Sequence, residues 1–315
     1  MTQATVIIAA WKAEKTLATS VESALAQGDI VREVIVADDA SPDGTSALAQ
    51  DLAARDARVK LTRLTRNAGP AAARNAALDL AQGDWIAVLD ADDAMRPNRL
   101  TRMIAYAEAH WADIVCDDLE LVGGGTRPGR VFLGPHAPIA PQRLSLEDYL
   151  AGNQARPDRP SLGFLKPALR RAFLETHRLR YDETLRNGED FHLVLAALTA
   201  GAALWLIPEA GYLYTTRTGS LSNRLDPDHA RALAEADAAY LDRMRATLSR
   251  EAQRLMRQRT ARLSDLAAAE AALRALKARH LATALATMTH RPRAAGRLLR
   301  QLLEAAKNRT GAVSR

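Results

Sequence analysis

Apolar, β-branched stretches alternate with helix-forming stretches through the first part of the chain, and this alternation constrains the fold most strongly. The apolar runs predict five short strands, over residues 5–9, 33–37, 59–64, 85–89 and 113–116. Apolar residues at helical spacing predict the intervening helices, over 13–27, 46–55, 71–81 and 99–110. Strands joined by helices through short loops favour a mostly parallel sheet covered on both faces. We therefore expect an α/β fold with a Rossmann-like sheet.

The rest of the chain predicts shorter elements and then a helical extension. After a proline-rich irregular stretch, the pattern indicates helices near 167–176 and 189–200 and short strands at 203–207 and 212–215. Residues 229–288 contain neither Gly nor Pro, which favours one long helix or a helical hairpin. A last amphipathic helix is expected over 293–307. We accordingly predict an α/β domain over 1–225 and a helical, basic extension over 226–315.

Cysteine content, hydropathy and charge indicate in which compartment the protein works and what kind of surface it meets. Cys116 is the single cysteine, so no disulfide forms within the chain and a reducing compartment is expected. The sequence offers neither a signal peptide nor an apolar stretch of bilayer-spanning length, so we expect a cytoplasmic protein that is soluble or peripheral to the inner face of the plasma membrane. The formal net charge is +6, and residues 251–315 alone carry 14 basic and 4 acidic residues. We therefore expect this basic tail to make the contact with any acidic surface that the protein binds.

Carboxylates follow three of the predicted strands. They are Asp38-Asp39, the run Asp90-Ala91-Asp92-Asp93, and Asp117-Asp118. Ligands bind at the carboxyl ends of strands in open α/β sheets, so acids collected there indicate a cation or a donor-rich ligand. Asp90 and Asp92 are the strongest metal candidates, because Mg²⁺ and Mn²⁺ prefer oxygen ligands and also take substrate phosphates. The alternative is that these acids cap helices and form turns.

Three further positions are candidates for chemistry. Arg74 lies near the start of a predicted helix whose N-terminus favours anions, and it could pair with a phosphate or a base edge. Asp190, in Gly188-Glu189-Asp190, could be a general base for a hydroxyl, or simply a capping acid. Arg217 follows a predicted strand and, with Ser220, could close over a diphosphate, although a polar turn explains it equally well.

These segments together resemble the family 2 glycosyltransferases, which have the GT-A fold. The motifs that carry the resemblance occur in the family's order, between residue 4 and about residue 220. They are VIIAAW (6–11), EVIVADDASPDGT (33–45), ARN (73–75), GDWIAVLDADD (83–93) and GED (188–190). The stretches at 164–167, 179–183 and 219–222 are similar to those of the succinoglycan-biosynthesis subgroup of exopolysaccharide transferases.

The resemblance implies a role for each matching residue. Asp38 or Asp39 would bind the uracil or ribose, with Ala9 and Trp11 on the same side of the nucleotide. Arg74 would lie against the base, and Asp190 would be the catalytic base. Asp90 would contact the nucleotide, with Asp92 as the main ligand of a Mg²⁺ or Mn²⁺ ion and Asp90 beside it. The chain departs from the family at Trp11-Lys12, where Tyr-Asn is usual, and at Ala40, where Gly is frequent.

The activity implied by the resemblance is metal-dependent, inverting transfer of one hexosyl unit. A UDP-sugar would be the donor and a lipid-linked saccharide hydroxyl the acceptor, in exopolysaccharide or other surface polysaccharide biosynthesis. The chain lacks the Gln-x-x-Arg-Trp motif of processive synthases, which favours transfer of a single sugar. The alternative is a non-catalytic nucleotide-binding scaffold of a polysaccharide assembly complex. A dinucleotide-binding dehydrogenase is disfavoured, because no Gly-x-Gly-x-x-Gly follows the first strand.

The basic tail carries a pattern typical of an interfacial helix. Its apolar stripe consists of leucines flanked by arginines, namely Leu298, Leu299, Leu302 and Leu303 with Arg293, Arg297 and Arg300. Such a helix would bind an anionic membrane surface. Packing of the stripe against the preceding helices, or homodimerisation, remains open. Nucleic acid is not expected as a partner, because the tail lacks interleaved aromatic residues.

Overall fold

The computed structural model describes residues 2–156, 158–216, 227–291 and 294–296. The chain divides into two compact units, Met1–Ser220 and Leu221–Arg315. The first unit contains a mixed sheet with helices, and the second is helical where it is described.

The sheet of the first unit has nine strands within the described residues. The strands are β1 (Ala4–Ala10), β2 (Val31–Asp38), β3 (Val59–Arg63), β4 (Trp85–Val88), β5 (Ala94–Met95), β6 (Ile114–Val122), β7 (Gln142–Leu144), β8 (Ala168–Arg170) and β9 (Leu204–Thr215). Their order across the sheet is β3-β2-β1-β4-β8-β6-β9-β5, and β7 pairs with β9.

Seven α-helices connect these strands in the described part of the first unit. They are α1 (Leu17–Leu25), α2 (Thr45–Arg55), α3 (Pro70–Leu78), α4 (Arg99–Ala109), α5 (Leu146–Ala151), α6 (Arg171–Thr176) and α7 (Glu189–Thr199). Short 3₁₀ turns occupy Gly28–Ile30, Gly134–His136 and Leu162–Phe164. Pro70 occupies the first turn of α3, where the missing N–H costs nothing because that donor has no partner within the helix.

The first four strands confirm the predicted parallel core. β1 lies between β2 and β4, β3 lies outside β2, and all these pairs are parallel. The side chains of β1, β2 and β4 are almost wholly buried because helices cover both faces of a parallel sheet, which is why these strands are mainly apolar, whereas the edge strand β3 is only partly buried. The carboxyl ends of β1, β2 and β4 consequently lie at one edge of the sheet.

The later strands differ from the sequence prediction. The predicted helix over 167–176 is wrong in its first part, because residues 168–170 form β8, antiparallel to both β4 and β6, and the helix begins at Arg171. The two strands expected at 203–207 and 212–215 are one strand, β9, which pairs with β6 through shifts in register. Both β6 and β4 run antiparallel to β8, so these two strands share one direction.

The second unit consists, where described, of three helices, α8 (Pro227–Met244), α9 (Arg250–Lys277) and α10 (Leu281–His290). Apolar side chains of α8 and α9 are buried, and the buried ion pair between Asp237 and Arg259 joins these two helices at 2.9 Å. The single helix or hairpin expected over 229–288 is therefore three helices. In the described residues, every helix is too short or too polar to span a bilayer. The leucine and arginine stripe at 293–303 lies outside the described residues.

Candidate active site

The carboxyl end of β4 leads into a turn made by Asp90, Ala91, Asp92 and Asp93. Asp93 is buried and holds the turn, since its carboxylate accepts hydrogen bonds from the Tyr212 hydroxyl at 2.8 Å and the Thr215 amide at 2.7 Å. The same hydroxyl accepts a hydrogen bond from the Asp90 amide at 3.0 Å. Strand β9 therefore fixes the backbone of this turn and leaves the Asp90 and Asp92 side chains partly exposed.

Five charged side chains converge beside this turn, and we call them the ionic cluster: Arg74, Asp90, Lys166, Glu189 and Asp190. Arg74 Nη2 lies 2.7 Å from Asp90 Oδ1, while its Nη1 lies 2.5 Å from Glu189 Oε1 and 3.3 Å from Asp190 Oδ1. Lys166 Nζ lies 2.9 Å from both Asp90 Oδ2 and Asp190 Oδ2. Two cations thus each bridge Asp90, after β4, and Asp190, in the first turn of α7.

Burial and charge pull the pKa values of this region in opposite directions. Burial opposes ionisation of Asp90, but Lys166 and Arg74 outweigh it and hold the pKa of that carboxyl well below its usual range. Burial also opposes protonation of Lys166, but Asp190 and Asp90 raise its pKa above the ordinary value. Burial together with the charges of Asp90 and Asp92 raises the pKa of Asp93 to about 8. Asp90 and Lys166 are therefore both charged at neutral pH.

Asp38 and Asp39 lie together at the end of β2. Asp39 is buried and accepts hydrogen bonds from Asn67 Nδ2 at 2.7 Å and from the Ala68 and Gly69 amides at 2.7 and 2.9 Å. These donors precede α3, so Asp39 holds the loop that starts the helix carrying Arg74. Asp38 Oδ1 accepts the Ser41 amide at 3.0 Å. The capping and turn-forming alternative is thus realised in part, and a nucleotide contact for either acid stays a prediction.

Ala9 and Trp11 lie at the carboxyl end of β1, next to the end of β2. Ala9 is paired with Ala37 in the sheet and is partly exposed, while Trp11 is 51% exposed just beyond the strand. The Ala40 backbone has a φ of +54°, in the left-handed region. This explains why glycine is frequent at the equivalent family position, since it takes this conformation without a Cβ penalty.

The Asp117-Asp118 pair is not part of the site, which corrects the prediction of three acidic strand ends. Strand β6 continues through both residues to Val122, so they lie inside the strand and not at its end. Asp117 is buried and pairs with Arg99 at 2.7 Å. Asp118 Oδ1 accepts the Leu119 and Leu133 amides at 2.7 and 3.0 Å.

Of the predicted site residues, the structure brings Arg74, Asp90 and Asp190 into direct contact. Arg217, predicted to close over a diphosphate, lies outside the described residues, as does Ser220. Sequence reasoning missed Lys166, which lies in the stretch 164–167 that carried part of the family resemblance but to which no role was assigned. Its signal was a lone lysine in the apolar stretch Phe164-Leu165-Lys166-Pro167.

The carboxylates beside the turn fit a divalent metal ion only in part. No three His, Cys, Asp or Glu side chains of the described residues converge into a ready-made metal site. Both Asp90 oxygens have cation partners, and the Asp92 side chain is partly exposed. A single carboxylate suits an ion of the Mg²⁺ type, which keeps its waters and takes further oxygens from substrate phosphates.

Comparison with known proteins agrees with this arrangement. Residues 5–160 match the family described as glycosyl transferase family 2. The chain is 41% identical over 283 residues to the succinoglycan biosynthesis protein ExoO of Rhizobium meliloti (strain 1021), covering 90% of this chain and 80% of that protein. It is 37% identical over 269 residues to ExoU of the same organism, a succinoglycan biosynthesis protein, covering 84% of this chain and 76% of the relative.

A solved structure shows the same fold. The crystal structure of S. aureus TarS in complex with UDP-GlcNAc superposes with a TM-score of 0.60 at 18% identity, and 90% of each chain is covered. At this identity the likeness concerns the fold alone, and it confirms the expected GT-A architecture with a C-terminal helical part.

Proposed function

The chain belongs to glycosyl transferase family 2, and from this premise we propose that it transfers a single sugar from a UDP-sugar to a saccharide hydroxyl with inversion at the anomeric carbon. The UDP-GlcNAc bound to the structurally similar TarS supports a nucleotide-sugar donor. The two succinoglycan biosynthesis relatives support a role in exopolysaccharide biosynthesis.

The observation that carries the proposal is the contact between the two ends of the site. Asp90 ends the strand on the side proposed for the nucleotide, and Asp190 begins the helix proposed for the acceptor. Lys166 and Arg74 each contact both carboxylates. Asp90, on the nucleotide side, and Asp190, the proposed base, thus belong to one network of ion pairs. This arrangement suits direct displacement, in which the acceptor attacks and the leaving group departs in a single step.

Asp190 is the proposed general base. Its Oδ2 accepts a hydrogen bond from Lys166 at 2.9 Å, while no described residue donates a hydrogen bond to its Oδ1. Oδ1 therefore has a lone pair for the proton of an acceptor hydroxyl. Removal of that proton increases the negative charge on the acceptor oxygen, which then attacks the anomeric carbon opposite the diphosphate. Direct attack by the acceptor requires no enzyme nucleophile.

The donor would lie along the carboxyl ends of β1, β2 and β4. Asp38 or Asp39 would accept hydrogen bonds from the uracil or ribose, with Ala9 and Trp11 beside them. Besides its proposed contact with the nucleotide base, Arg74 neutralises Asp90 and Glu189. It thereby lowers the repulsion that these acids would exert on a diphosphate. Arg217 is proposed to contact the leaving diphosphate.

A Mg²⁺ or Mn²⁺ ion would be held by Asp92, with Asp90 beside it. When bound, the ion would stabilise the negative charge that develops on the departing nucleoside diphosphate. The chain's own contribution is the fixed turn, since Tyr212 contacts both the Asp90 amide and the Asp93 carboxylate, on either side of Asp92.

We propose that the acceptor is lipid-linked and that the enzyme works at the cytoplasmic face of the membrane. The support is compositional: the tail after residue 250 is strongly basic, and each basic residue near an anionic surface contributes about 1 kcal/mol to binding.

The experiment that tests the proposed function compares wild type with Asp190→Asn. The amide keeps the shape of the side chain but cannot take a proton, so we expect turnover with a UDP-sugar and a saccharide acceptor to fall by about 10²- to 10⁴-fold. Calorimetric affinity for UDP should stay within about threefold. Near-normal turnover would refute the base assignment. UDP binding with no transfer by wild type, over a panel of UDP-sugars and acceptors, would instead favour the scaffold alternative.

A further inference from the structure

Lys166 is a buried cation placed between the two ends of the proposed site. It is 6% exposed, and its Nζ is equidistant, at 2.9 Å, from Asp90 Oδ2 and Asp190 Oδ2. Arg74 makes the parallel contacts on the other oxygen of each carboxylate, at 2.7 Å to Asp90 Oδ1 and 3.3 Å to Asp190 Oδ1. Lys166 therefore hydrogen-bonds Asp190 through Oδ2, whereas Arg74 approaches Oδ1 only as a longer ion pair without a hydrogen bond.

The direction of β8 is what brings Lys166 to this place. Because β8 runs antiparallel to β4, with Ala168 opposite Ala87, the start of β8 lies next to the carboxyl end of β4. Lys166 precedes that start by two residues. The Pro167 carbonyl accepts the Val88 amide at 3.2 Å, which extends the pairing to the residue next to Lys166.

The Lys166 backbone is also fixed from the opposite side. Its carbonyl accepts a hydrogen bond from Arg99 Nη2 at 2.6 Å, and the guanidinium of Arg99 is held by Asp117. Arg99 and Asp117 are both buried. A rigid ion pair beneath the strand thus determines where the lysine backbone lies, which is how a side chain of four flexible bonds reaches one definite position.

We propose that Lys166 is a positioning residue for the transfer reaction, which orients the Asp190 carboxylate by holding its Oδ2, so that Oδ1 faces the acceptor hydroxyl. This inference rests on the proposed function. Arg74 cannot supply the same restraint alone, because its contact with Asp190 is longer and its Nη1 is shared with Glu189 at 2.5 Å. Stability alone does not explain the lysine, since a buried ion pair contributes little net stability compared with apolar residues of the same size.

The first test separates kcat from KM in Lys166→Met and Lys166→Arg. Methionine keeps the length and the apolar stem and removes the charge. We expect its kcat to fall by about 10²-fold, the loss that a misplaced reacting group causes. The KM for the UDP-sugar should change by less than about threefold. Arginine keeps the charge, and we expect it to recover at least about a tenth of the wild-type kcat. Lys60→Met is the matched control, since it removes a lysine from another Lys–carboxylate pair, with Glu33, and should leave kcat unchanged.

The second test is a double-mutant cycle with Asp190→Asn, and it also covers the case in which Lys166→Met folds poorly. Asn at position 190 removes one of the two carboxylates that Lys166→Met leaves without this cation, so the double variant contains less unpaired buried charge. If Lys166 acts through Asp190, Lys166→Met lowers the residual rate of Asp190→Asn by less than about threefold. A merely structural lysine would lower the rate by the same factor in both backgrounds.

The outcomes distinguish this inference from the proposed function. If Asp190→Asn is inactive while Lys166→Met keeps kcat within about threefold of wild type, the positioning role is overturned and the proposed function stands. Equal losses in both backgrounds, or equal losses in kcat and UDP affinity, likewise overturn it. If Asp190→Asn turns over normally, the proposed function and this inference fail together. A kcat-specific loss, recovery by arginine and no additive effect with Asp190→Asn support it.

Discussion

Replacement of Asp117 by asparagine should destabilise the first unit without affecting the chemistry of the nucleotide side directly. Asp117 is 1% exposed and accepts Arg99 Nη2 at 2.7 Å, Arg99 Nε at 2.9 Å and the Gly211 amide at 3.1 Å. Arg99 is itself 0% exposed, so Asp117→Asn leaves a buried guanidinium without its counter-charge. Breaking a buried ion pair costs about 3–5 kcal/mol. Since asparagine keeps an acceptor for Gly211, we expect a loss of about 3 kcal/mol.

Urea unfolding followed by tryptophan fluorescence measures this loss. All four tryptophans, at 11, 85, 111 and 205, belong to the first unit, so the signal does not report the helical extension. The double variant Arg99→Met/Asp117→Asn removes both charges, and we expect it to recover at least half of the lost free energy, because no unpaired buried charge remains. A loss below about 1 kcal/mol in Asp117→Asn, accompanied by weaker UDP binding, would refute the structural role and restore Asp117 as a ligand.

Three further predictions concern the metal, the sheet and the tail. Asp92→Ala should remove the Mn²⁺-dependent part of UDP binding in calorimetry, because Asp92 is the proposed main ligand; an unchanged affinity would contradict the metal assignment. Burial by itself would raise the pKa of Glu33, but hydrogen bonds from Lys60, Thr5 and the Gln82 amide hold that pKa below the ordinary value of a glutamate. The native state therefore favours the ionised form, and its stabilisation is present above the unfolded-state pKa and lost as the pH falls through the lower native value. Glu33→Gln should accordingly lower the urea midpoint of unfolding at pH 7, and below about pH 4 its midpoint should decrease less than that of wild type. If the midpoints of the two proteins fall in parallel with pH, this explanation is excluded. Full-length protein should sediment with anionic but not neutral liposomes at low salt, while a chain ending at Thr289 should not; equal recovery of both chains in the supernatant would leave a structural or dimerisation role for the tail.

The parallel core and the sheet edge that carries the candidate site could be predicted from the sequence because their signals are local. Strands β1, β2 and β4 are buried on both faces, so each contains an apolar run of strand length, whereas the edge strand β3 is only partly buried and alternates apolar with polar residues. The acids that follow β2 and β4 lie at the sheet edge as expected, because the directions of parallel strands place their carboxyl ends together. The start of α7 at Glu189 was likewise predictable, because a glycine precedes it in the sequence. In the structure Gly188 has a φ of +79°, a conformation that favours glycine.

Strand β8 could not be predicted, because its three residues carry no period that distinguishes a strand from a helix. The sequence after Pro167 contains good helix formers, and α6 does begin at Arg171. Residues 168–170 are extended because they fill the gap between β4 and β6, with hydrogen-bonding partners on both sides. Such a choice depends on tertiary pairing, which overrides intrinsic propensity.

By itself, then, the sequence determined the parallel core, the sheet edge at which the candidate site lies and the acids that follow β2 and β4, since apolar periodicity and strand-end position are properties of neighbouring residues. The tertiary structure decided the partner of each acid. Arg74 contacts Glu189 across 115 residues of sequence, and Asp117 contacts Gly211 across 94. Asp90 and Asp117 both follow or continue apolar runs, yet one lies in a partly exposed ionic cluster and the other is buried against Arg99. The physical reason is that a carboxylate's role depends on the charges and donors that folding brings within about 4 Å, and these come from distant parts of the chain.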